Sequence, residues 1–501
     1  MLAAVLFGAV TRVAVLHSSL GALDSDEAVV GLIARHLAHG TAWHGAARFP
    51  VLFWGQNYGG IVEAIGAAGL FLFVHSSPLV LKAVPLALSG LAAVLTWRIG
   101  RRLVGPAAGR YAGALFWAWP PAFVWWSTKA GVYWAALCCT LAAVLLLCRL
   151  ADRVREEAPL DDTRETLEFA ALGLATGLAW WANPQSLYLL LPAYIWFAPA
   201  LGRRAGYLPL LGTTACVGAA PWIGFNLVHH WASLRFPHQP RVAGTYGRRL
   251  GAFFTTALPM ALGWRVPYTK AWVLGPVGVC GYGATLAGLG ACLGLGAARR
   301  GQRRLLLLGL AAVAYPFLFA TSPLSWYVDH PRYLLFLSPV VAVVAAAGLA
   351  RRRFGLPGMV LAAALTAGGL VAMASSGLSA PNSPDVHVTA SIAPLRQMLT
   401  DYRVQDAYAD YWLAYRTTFE TGESVLVAPT WASRSPSLDA AVAASPHPAY
   451  LFVTKSATLR SFEQAAARLG MPIAVHSRGP YTVVLPAGRI LPGSVGFDWT
   501  P

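Results

Sequence analysis

The chain has 501 residues, of which 56% are hydrophobic and only 12% are charged. Soluble domains carry about 25% charged residues, so this composition excludes an ordinary soluble protein. Basic residues outnumber acidic ones by 38 to 21, but they fall in short clusters between apolar runs, as membrane topology requires. The excess of positive charge therefore indicates a membrane protein and predicts no nucleic-acid partner.

Apolar runs recur along the first three quarters of the chain and predict a polytopic α-helical membrane protein with about 11 transmembrane helices, in a range of about 10 to 13. Residues 1–20 are expected to form an uncleaved first span, because they lack a basic start and contain Arg12. Residues 61–75 are short for a span. Treating them as interfacial or re-entrant places every compact basic cluster in the cytoplasm and residues 21–60 outside.

The first outer loop, residues 21–60, begins with three carboxylates within four residues: Asp24, Asp26 and Glu27. The spacing of Asp24 and Glu27 is that of a capping box. Apolar residues then recur at helical spacing up to Gly40, which predicts an amphipathic helix at the membrane interface. An aromatic, glycine-rich stretch with Gln56 and Tyr58 completes the loop.

Beyond about residue 380 the composition becomes more polar, so we divide the chain into a transmembrane domain, 1–378, and a small α/β domain outside the cytoplasm, 379–501. Helical patterns cover Ser391–Tyr402, Asp406–Phe419 and Ser456–Leu469, and strand patterns cover Val425–Ala428, Tyr450–Thr454, Ile473–His476 and Tyr481–Leu485. All six cysteines precede this domain, at spacings that predict neither a disulfide framework nor a zinc site.

Four short motifs carry a family resemblance. They are Asp26-Glu27-Ala28 with Ile33-Ala34-Arg35-His36 and Gly40, Trp54-Gly-Gln-Asn-Tyr-Gly-Gly60 with Glu63, Gly100-Arg-Arg-Leu-Val-Gly105, and His330-Pro-Arg-Tyr333 running to Pro339. In these motifs the chain resembles the GT-C superfamily of membrane glycosyltransferases, in its protein-O-mannosyltransferase and aminoarabinose-transferase branch (glycosyltransferase family 39-like). Lys129 stands in the loop where aminoarabinose-type enzymes usually carry a second acid.

The resemblance implies a GT-C-like fold, a polyprenyl-phosphate-linked sugar donor and an acceptor outside the cytoplasm. The acceptor hydroxyl needs a base, and Asp26 is the first candidate, with Asp24 and Glu27 as second choices. We expect the low-dielectric interface to raise the pKa of Asp26. The alternative is that all three acids only cap the helix.

The departing lipid phosphate needs positive charge. Candidate ligands in outer loops are Lys129, Arg265, Lys270 and Arg332, and Arg332 is preferred because it begins a late span and offers a planar fork of donors. The alternative for Arg332 is an interfacial anchor. Glu63 is a carboxylate in an apolar run and hence a site candidate, unless it reaches the interface. The remaining candidates for substrate contact are Gln56, Tyr58, His330 and Tyr333.

Asp24-Ser-Asp26 could hold Mg²⁺ or Mn²⁺ through oxygen ligands. A monophosphate donor usually needs no metal, so we expect no cofactor. The overall prediction is an inverting glycosyltransferase of the plasma membrane, acting on a glycan, lipid or protein hydroxyl. A transporter or flippase of lipid-linked saccharides and a non-catalytic membrane scaffold remain as alternatives.

Overall fold

A computed structural model of the chain describes residues 2–41, 49–155, 162–235, 244–269, 271–298, 304–322, 328–377, 379–380, 383–387, 389 and 391–497. Helices predominate among the described residues as far as Ser375. They are α1 (Leu2–Leu16), α2 (Ser25–His39), α3 (Val62–Phe71), α4 (Pro78–Leu103), α5 (Pro106–Ala118), α6 (Pro121–Trp126), α7 (Trp134–Arg155), α8 (Asp162–Ala182), α9 (Leu187–Gly202), α10 (Leu208–Gly218), α11 (Ala220–Val228), α12 (Tyr246–Ala252), α13 (Leu258–Ala261), α14 (Pro276–Ala297), α15 (Leu305–Thr321), a 3-10 segment (Pro331–Leu337), α16 (Ser338–Leu349) and α17 (Arg352–Ser375).

Five helical stretches of the described chain are long and apolar enough to cross a membrane: Pro78–Leu103, Trp134–Arg155, Pro276–Leu295, Pro331–Leu349 and Phe354–Ser375. A sixth is added if α10 and α11, which are bent by 65° at their junction, form one broken span. Several apolar helices of this kind agree with the predicted polytopic membrane protein. The predicted count of about 11 spans is not confirmed.

Helix α4 carries a buried charged side chain near its first residue and a more exposed one near its last. Lys82 lies in its second turn and bonds to α2, whereas Arg102 in its last turn donates to Asp152 of α7 at 2.6 Å. Arg304, just before α15, also pairs with Asp152. Twenty residues of α-helix span about 30 Å, which is the thickness of the hydrocarbon core of a bilayer. The helices therefore separate a basic end from the end that carries α2.

Helix α2 begins and ends as the sequence predicts. Asp24 accepts a hydrogen bond from the backbone N–H of Glu27 at 2.9 Å, and Glu27 accepts one from Asp24 at 3.3 Å, which completes the capping box. Gly40 ends the helix with a φ of 64°. Most of α2 is buried, because α3 packs against it and a helix of the C-terminal region covers it.

The C-terminal region contains a short β1–β2 pair (Ser379–Ala380 and Ser383–His387) and a five-stranded sheet, in the order β4-β3-β5-β7-β6. Its strands are β3 (Asp406–Ala409), β4 (Leu426–Pro429), β5 (Ala449–Val453), β6 (Ile473–Arg478) and β7 (Tyr481–Pro486), and its helices are α18 (Ala393–Asp401), α19 (Tyr411–Glu420), α20 (Pro436–Ala444) and α21 (Ala457–Arg468). β3 is parallel to β4 and β5, whereas β7 is antiparallel to β5 and β6.

One predicted helix of this region is wrong. Residues 406–419 are not a single helix, since 406–409 form strand β3 and only then does α19 begin. Asp410 causes the break, because its carboxylate accepts from the backbone N–H of Trp412 at 2.9 Å and caps α19. Tyr408 is therefore buried within the sheet and is not part of α19. Helix α20 has no counterpart among the predicted elements.

Candidate active site

Asp26 lies in the first turn of α2 and receives donors from three separate parts of the chain. Arg332, in the 3-10 segment, donates from Nη1 to Oδ2 at 2.8 Å. The hydroxyl of Tyr411, at the start of α19, donates to Oδ1. Nη2 of Arg434, in the loop after β4, lies 3.5 Å from the same oxygen. The carboxylate thus joins the transmembrane helices to the C-terminal region.

These donors reverse the expected pKa shift. Burial disfavours the charged carboxylate of Asp26, but Arg332, Arg434 and the Tyr411 hydrogen bond outweigh burial and lower its pKa. The prediction that the pKa of Asp26 is raised is therefore wrong, because the sequence does not show that two guanidinium groups meet it. The raised pKa belongs to Asp24, whose burial, together with repulsion from Glu27 and Asp26, exceeds the attraction of Lys129.

Glu27 occupies a buried network with two lysines. Its carboxylate contacts Nζ of Lys82 at 2.5 Å and Nζ of Lys129 at 2.8 Å, and it accepts from the backbone of Ala130 at 3.2 Å. Lys129 also reaches Asp24 at 3.2 Å. The Glu27, Lys82 and Lys129 side chains are only 1%, 2% and 4% exposed. Such a network fixes the start of α2 against α4 and the loop before α7.

Asp24 and Asp26 open onto a cavity of about 70 Å³ between the helices and the C-terminal region. Its wall mixes aromatic side chains with the charged and polar groups already described. The lining residues are Ser19, Leu20, Asp24, Asp26, Phe53, Gln56, Trp125, Trp126, Lys129, Ala130, Gly131, Val132, Tyr133, Tyr268, His330, Arg332 and Trp412. A concave site with aromatic walls and converging charges is typical of ligand binding.

Most of the predicted site residues meet near this cavity. Lys129, Gln56 and His330 line it directly, and His330 is 3% exposed beside Tyr268. Tyr58 lies within electrostatic reach of Arg434, Arg332 and Asp26, although burial is the main cause of its raised pKa. Tyr333 is buried below Arg332, whose guanidinium carbon lies 5.1 Å from the centre of the ring.

Glu63 lies elsewhere. Its carboxylate accepts from the backbone N–H groups of Gly131 and Trp134, each at 2.8 Å, and so caps α7 and holds the loop that carries Lys129. Burial raises its pKa to about 6. Glu63 therefore holds the loop next to the cavity and does not line the cavity itself.

Arg265 is a predicted site residue that does not line the cavity. Arg265 stacks on Trp272 at 4.5 Å and donates to Thr256 at 3.4 Å, outside the cavity lining. Lys270 lies outside the residues that the structure describes.

Sequence reasoning missed Lys82, Tyr411 and Arg434. Lys82 carried a usable signal, because a lone charge in an apolar span marks a functional position by the same argument that selected Glu63. The other two lie in the C-terminal region, where the helical spacing of Tyr408, Trp412 and Tyr415 favours core packing, with acceptor recognition as the alternative. Nothing in the polar stretch Trp431-Ala-Ser-Arg434 indicates contact with a residue about 400 positions away.

The donor set does not favour a bound divalent cation. Asp24 faces Lys129, whereas Asp26 faces Arg332 and Arg434, so each carboxylate of the predicted Asp-x-Asp pair already has a cationic partner. Within the described ranges, no group of three or more His, Cys, Asp or Glu side chains is arranged to hold a metal ion. These carboxylates therefore do not fit the oxygen cage that Mg²⁺ or Mn²⁺ requires.

Neither protein-family models nor curated proteins match this sequence. Solved structures do. ArnT from Cupriavidus metallidurans bound to undecaprenyl phosphate is similar, with a TM-score of 0.60 at 14% identity over 96% of this chain and 97% of that chain. The apo form of ArnT gives a TM-score of 0.61 at 13% identity over the same shares. An Archaeoglobus fulgidus oligosaccharyltransferase tethered with an acceptor peptide gives 0.52 at 13% identity over 97% of this chain and 76% of that chain. The chain therefore has a GT-C-like glycosyltransferase fold, which confirms the resemblance predicted from its motifs.

Proposed function

We propose that this chain is an inverting glycosyltransferase that moves a sugar from a polyprenyl-phosphate donor to a hydroxyl outside the cytoplasm. The observation that carries the proposal is the carboxylate of Asp26 on the wall of the cavity, with Arg332 and Arg434 beside it. The fold supports a lipid-linked donor, since a structure with this fold is bound to undecaprenyl phosphate.

Each group has a role in a single displacement. Asp26 takes the proton from the acceptor hydroxyl, and the oxygen attacks the anomeric carbon of the donor. The bond from that carbon to the phosphate oxygen breaks, and polyprenyl phosphate leaves with the electron pair. Arg332 and Lys129 stabilise the charge on the departing phosphate. The anomeric configuration inverts because attack is direct and no protein nucleophile intervenes.

The basic residues at the helix ends indicate which side of the membrane the cavity faces. The basic end that holds Arg102 and Arg304 belongs in the cytoplasm by the positive-inside rule. The cavity lies at the other end of α4, so we place it at the outer face of the plasma membrane. We likewise infer that residues 1–378 form the catalytic membrane domain and that residues 379–501 lie outside the cytoplasm.

The test is transfer from labelled polyprenyl-phosphate sugars in membranes that contain the protein. Asp26→Asn keeps the size of the side chain and removes the base, so we expect transfer to fall by roughly 10²- to 10⁴-fold. Asp401→Asn is the matched control, because Asp401 is an exposed carboxylate of the C-terminal region paired with Arg478. We expect EDTA to leave wild-type transfer unchanged, as the paired carboxylates suggest.

Full activity in both Asp26→Asn and Asp24→Asn would contradict the catalytic assignment. Absence of transfer with every polyprenyl-phosphate sugar offered, together with movement of the intact donor across the membrane, would favour the transporter alternative instead.

A further inference from the structure

Asp26 contacts two guanidinium groups at different distances. The Arg332 contact, at 2.8 Å, is an ordinary charge-assisted hydrogen bond. The Arg434 contact, at 3.5 Å, is longer than an N–H···O hydrogen bond and amounts to an ion pair only. One carboxylate carries one negative charge, so it cannot neutralise both arginines. The site therefore has positive charge left over for a second anion.

The side chain of Arg434 is held by groups other than Asp26. Its Nε donates to the hydroxyl of Tyr411 at 3.1 Å, and its backbone N–H donates to Tyr415 at 2.7 Å. With the Gln56 amide oxygen turned toward it, Nη1 and Nη2 donate at 3.0 and 3.1 Å. The ring of Phe53 lies 5.6 Å away. Arg434 would thus keep its place if Asp26 were to lose it as a partner.

Arg332 also has an unused donor. Its Nε is buried and has no hydrogen-bond partner among the residues the structure describes. A buried N–H without a partner costs about 1–3 kcal/mol, which an incoming oxygen would relieve. Arg332 and Gln56 both line the cavity, and Gln56 bonds to Arg434, so an anion in the cavity lies near both guanidinium groups.

We propose that Arg434 binds the donor phosphate together with Arg332, so that the C-terminal region completes the donor site. This inference rests on the proposed function and adds to it a phosphate ligand from outside the membrane helices. When the phosphate forms ion pairs with the two arginines, Asp26 loses these partners and keeps the Tyr411 hydrogen bond. Asp26 can then accept the proton of the acceptor hydroxyl. Donor binding and activation of the base are then one event.

Binding of polyprenyl phosphate without a sugar tests this proposal apart from transfer. The probe is a short-chain polyprenyl phosphate added to the full-length protein in nanodiscs, followed by tryptophan fluorescence, since Trp125, Trp126 and Trp412 line the cavity. We expect Arg434→Gln to weaken binding by roughly 10- to 100-fold, as the loss of a charge-assisted hydrogen bond does. Arg434→Lys should recover part of the loss, because it restores the charge without the fork.

Arg478→Gln is the matched control, because Arg478 also lies in the C-terminal region and pairs with the exposed Asp401. Thermal unfolding of each variant shows whether the fold is kept, and Arg434→Lys serves if the glutamine variant unfolds. Equal binding by wild type, Arg434→Gln and Arg434→Lys would overturn this inference and leave the proposed function standing. Absence of binding by the wild type itself would overturn both.

Discussion

At the scale of single residues, the proposed chemistry depends on how the charged form of Asp26 is stabilised. A carboxylate acts as a base only while it is deprotonated, and burial alone would protonate Asp26 more readily. Arg332, Arg434 and Tyr411 more than offset burial and keep its pKa below the ordinary value for an aspartate. In the free protein these contacts keep Asp26 charged, but they also make it a weaker base. The proposed mechanism therefore requires that substrate binding weakens these contacts and strengthens the base.

We therefore expect a shift in pH dependence when the Tyr411 hydroxyl is removed. In the proposed mechanism the charged form of Asp26 is the base, so we expect kcat/KM to fall as the pH drops through the pKa of Asp26. Tyr411→Phe deletes a hydrogen bond that lowers this pKa. The acidic limb of the kcat/KM profile should consequently move to higher pH. The measurement is initial transfer rate at low donor concentration across the acidic range.

Tyr402→Phe is the control for this pH shift, because Tyr402 lies on the surface of the same region and stacks on His476. An acidic limb that stays in place in Tyr411→Phe, or that moves equally in both variants, would show that the Tyr411 hydroxyl does not act on the base.

The individual candidates were easier to find in the sequence than their pairing. Asp26 stood out because acids are scarce and it follows the first apolar run, and Arg332 because it begins a late span. Their contact joins positions 306 residues apart, which no local pattern records. Arg434 had no signal at all, since a lone arginine in a polar loop resembles any solvated residue.

At the scale of elements, α2 connects the membrane helices to the C-terminal region. It lies between α3 on the membrane side and α19 on the C-terminal side. Its first turn was predictable because capping is a local interaction between Asp24 and Glu27. Its burial under α19 was not, since an amphipathic helix pattern fits a membrane surface and a protein surface equally well.

The close approach of α2 and α19 depends on Gly31. A Cβ added at Gly31 would lie 2.6 Å from Cε2 of Phe419, and Phe419 is itself buried. We expect Gly31→Ala to separate the helices, to displace Tyr411 from Asp26 and to lower both transfer and thermal stability. Overpacking of this kind costs about 1–3 kcal/mol. Thermal unfolding and the transfer assay measure the two effects.

Gly69→Ala is the matched control, since a Cβ at Gly69 in α3 would meet nothing within 4 Å. Alanine favours a helix over glycine by about 1 kcal/mol, so this variant should be no less stable than the wild type. A second change, Phe419→Leu, should restore part of the loss in Gly31→Ala. Gly31→Ala with wild-type stability and activity would show that the contact between α2 and α19 does not position the site.

At the scale of the whole molecule, the alternation of apolar runs and basic clusters along the sequence was enough to predict a polytopic helical membrane protein. The mixed sheet of the C-terminal region was less accessible, as the error at 406–419 shows. Tyr408 and Tyr411 carry the same side chain and lie three residues apart, yet one lies in a strand and the other begins a helix. Only the helix cap at Asp410 marks the boundary between the strand and the helix. The helical spacing of the apolar residues on both sides of Asp410 predicts one continuous helix instead.

The orientation of the molecule in the membrane gives the last prediction. If the cavity faces outward, the C-terminal region is outside and the Arg102 end of α4 is inside. Gln464, in α21, and Arg101, in the last turn of α4, are both exposed positions. We expect a membrane-impermeant maleimide to label Gln464→Cys in intact cells and to label Arg101→Cys only after lysis. The exposed native cysteines, Cys216 and Cys280, are first replaced by serine.

The two cysteine variants check each other, because one lies in the C-terminal region and the other at the end of α4 that is expected to face the cytoplasm. Labelling of both in intact cells would indicate leakage of the reagent, and the parent without Cys216 and Cys280 measures the background. Labelling of Arg101→Cys alone in intact cells would place the C-terminal region in the cytoplasm. Asp26 would then face the cytoplasm, and a donor and acceptor on the outer face could not reach it.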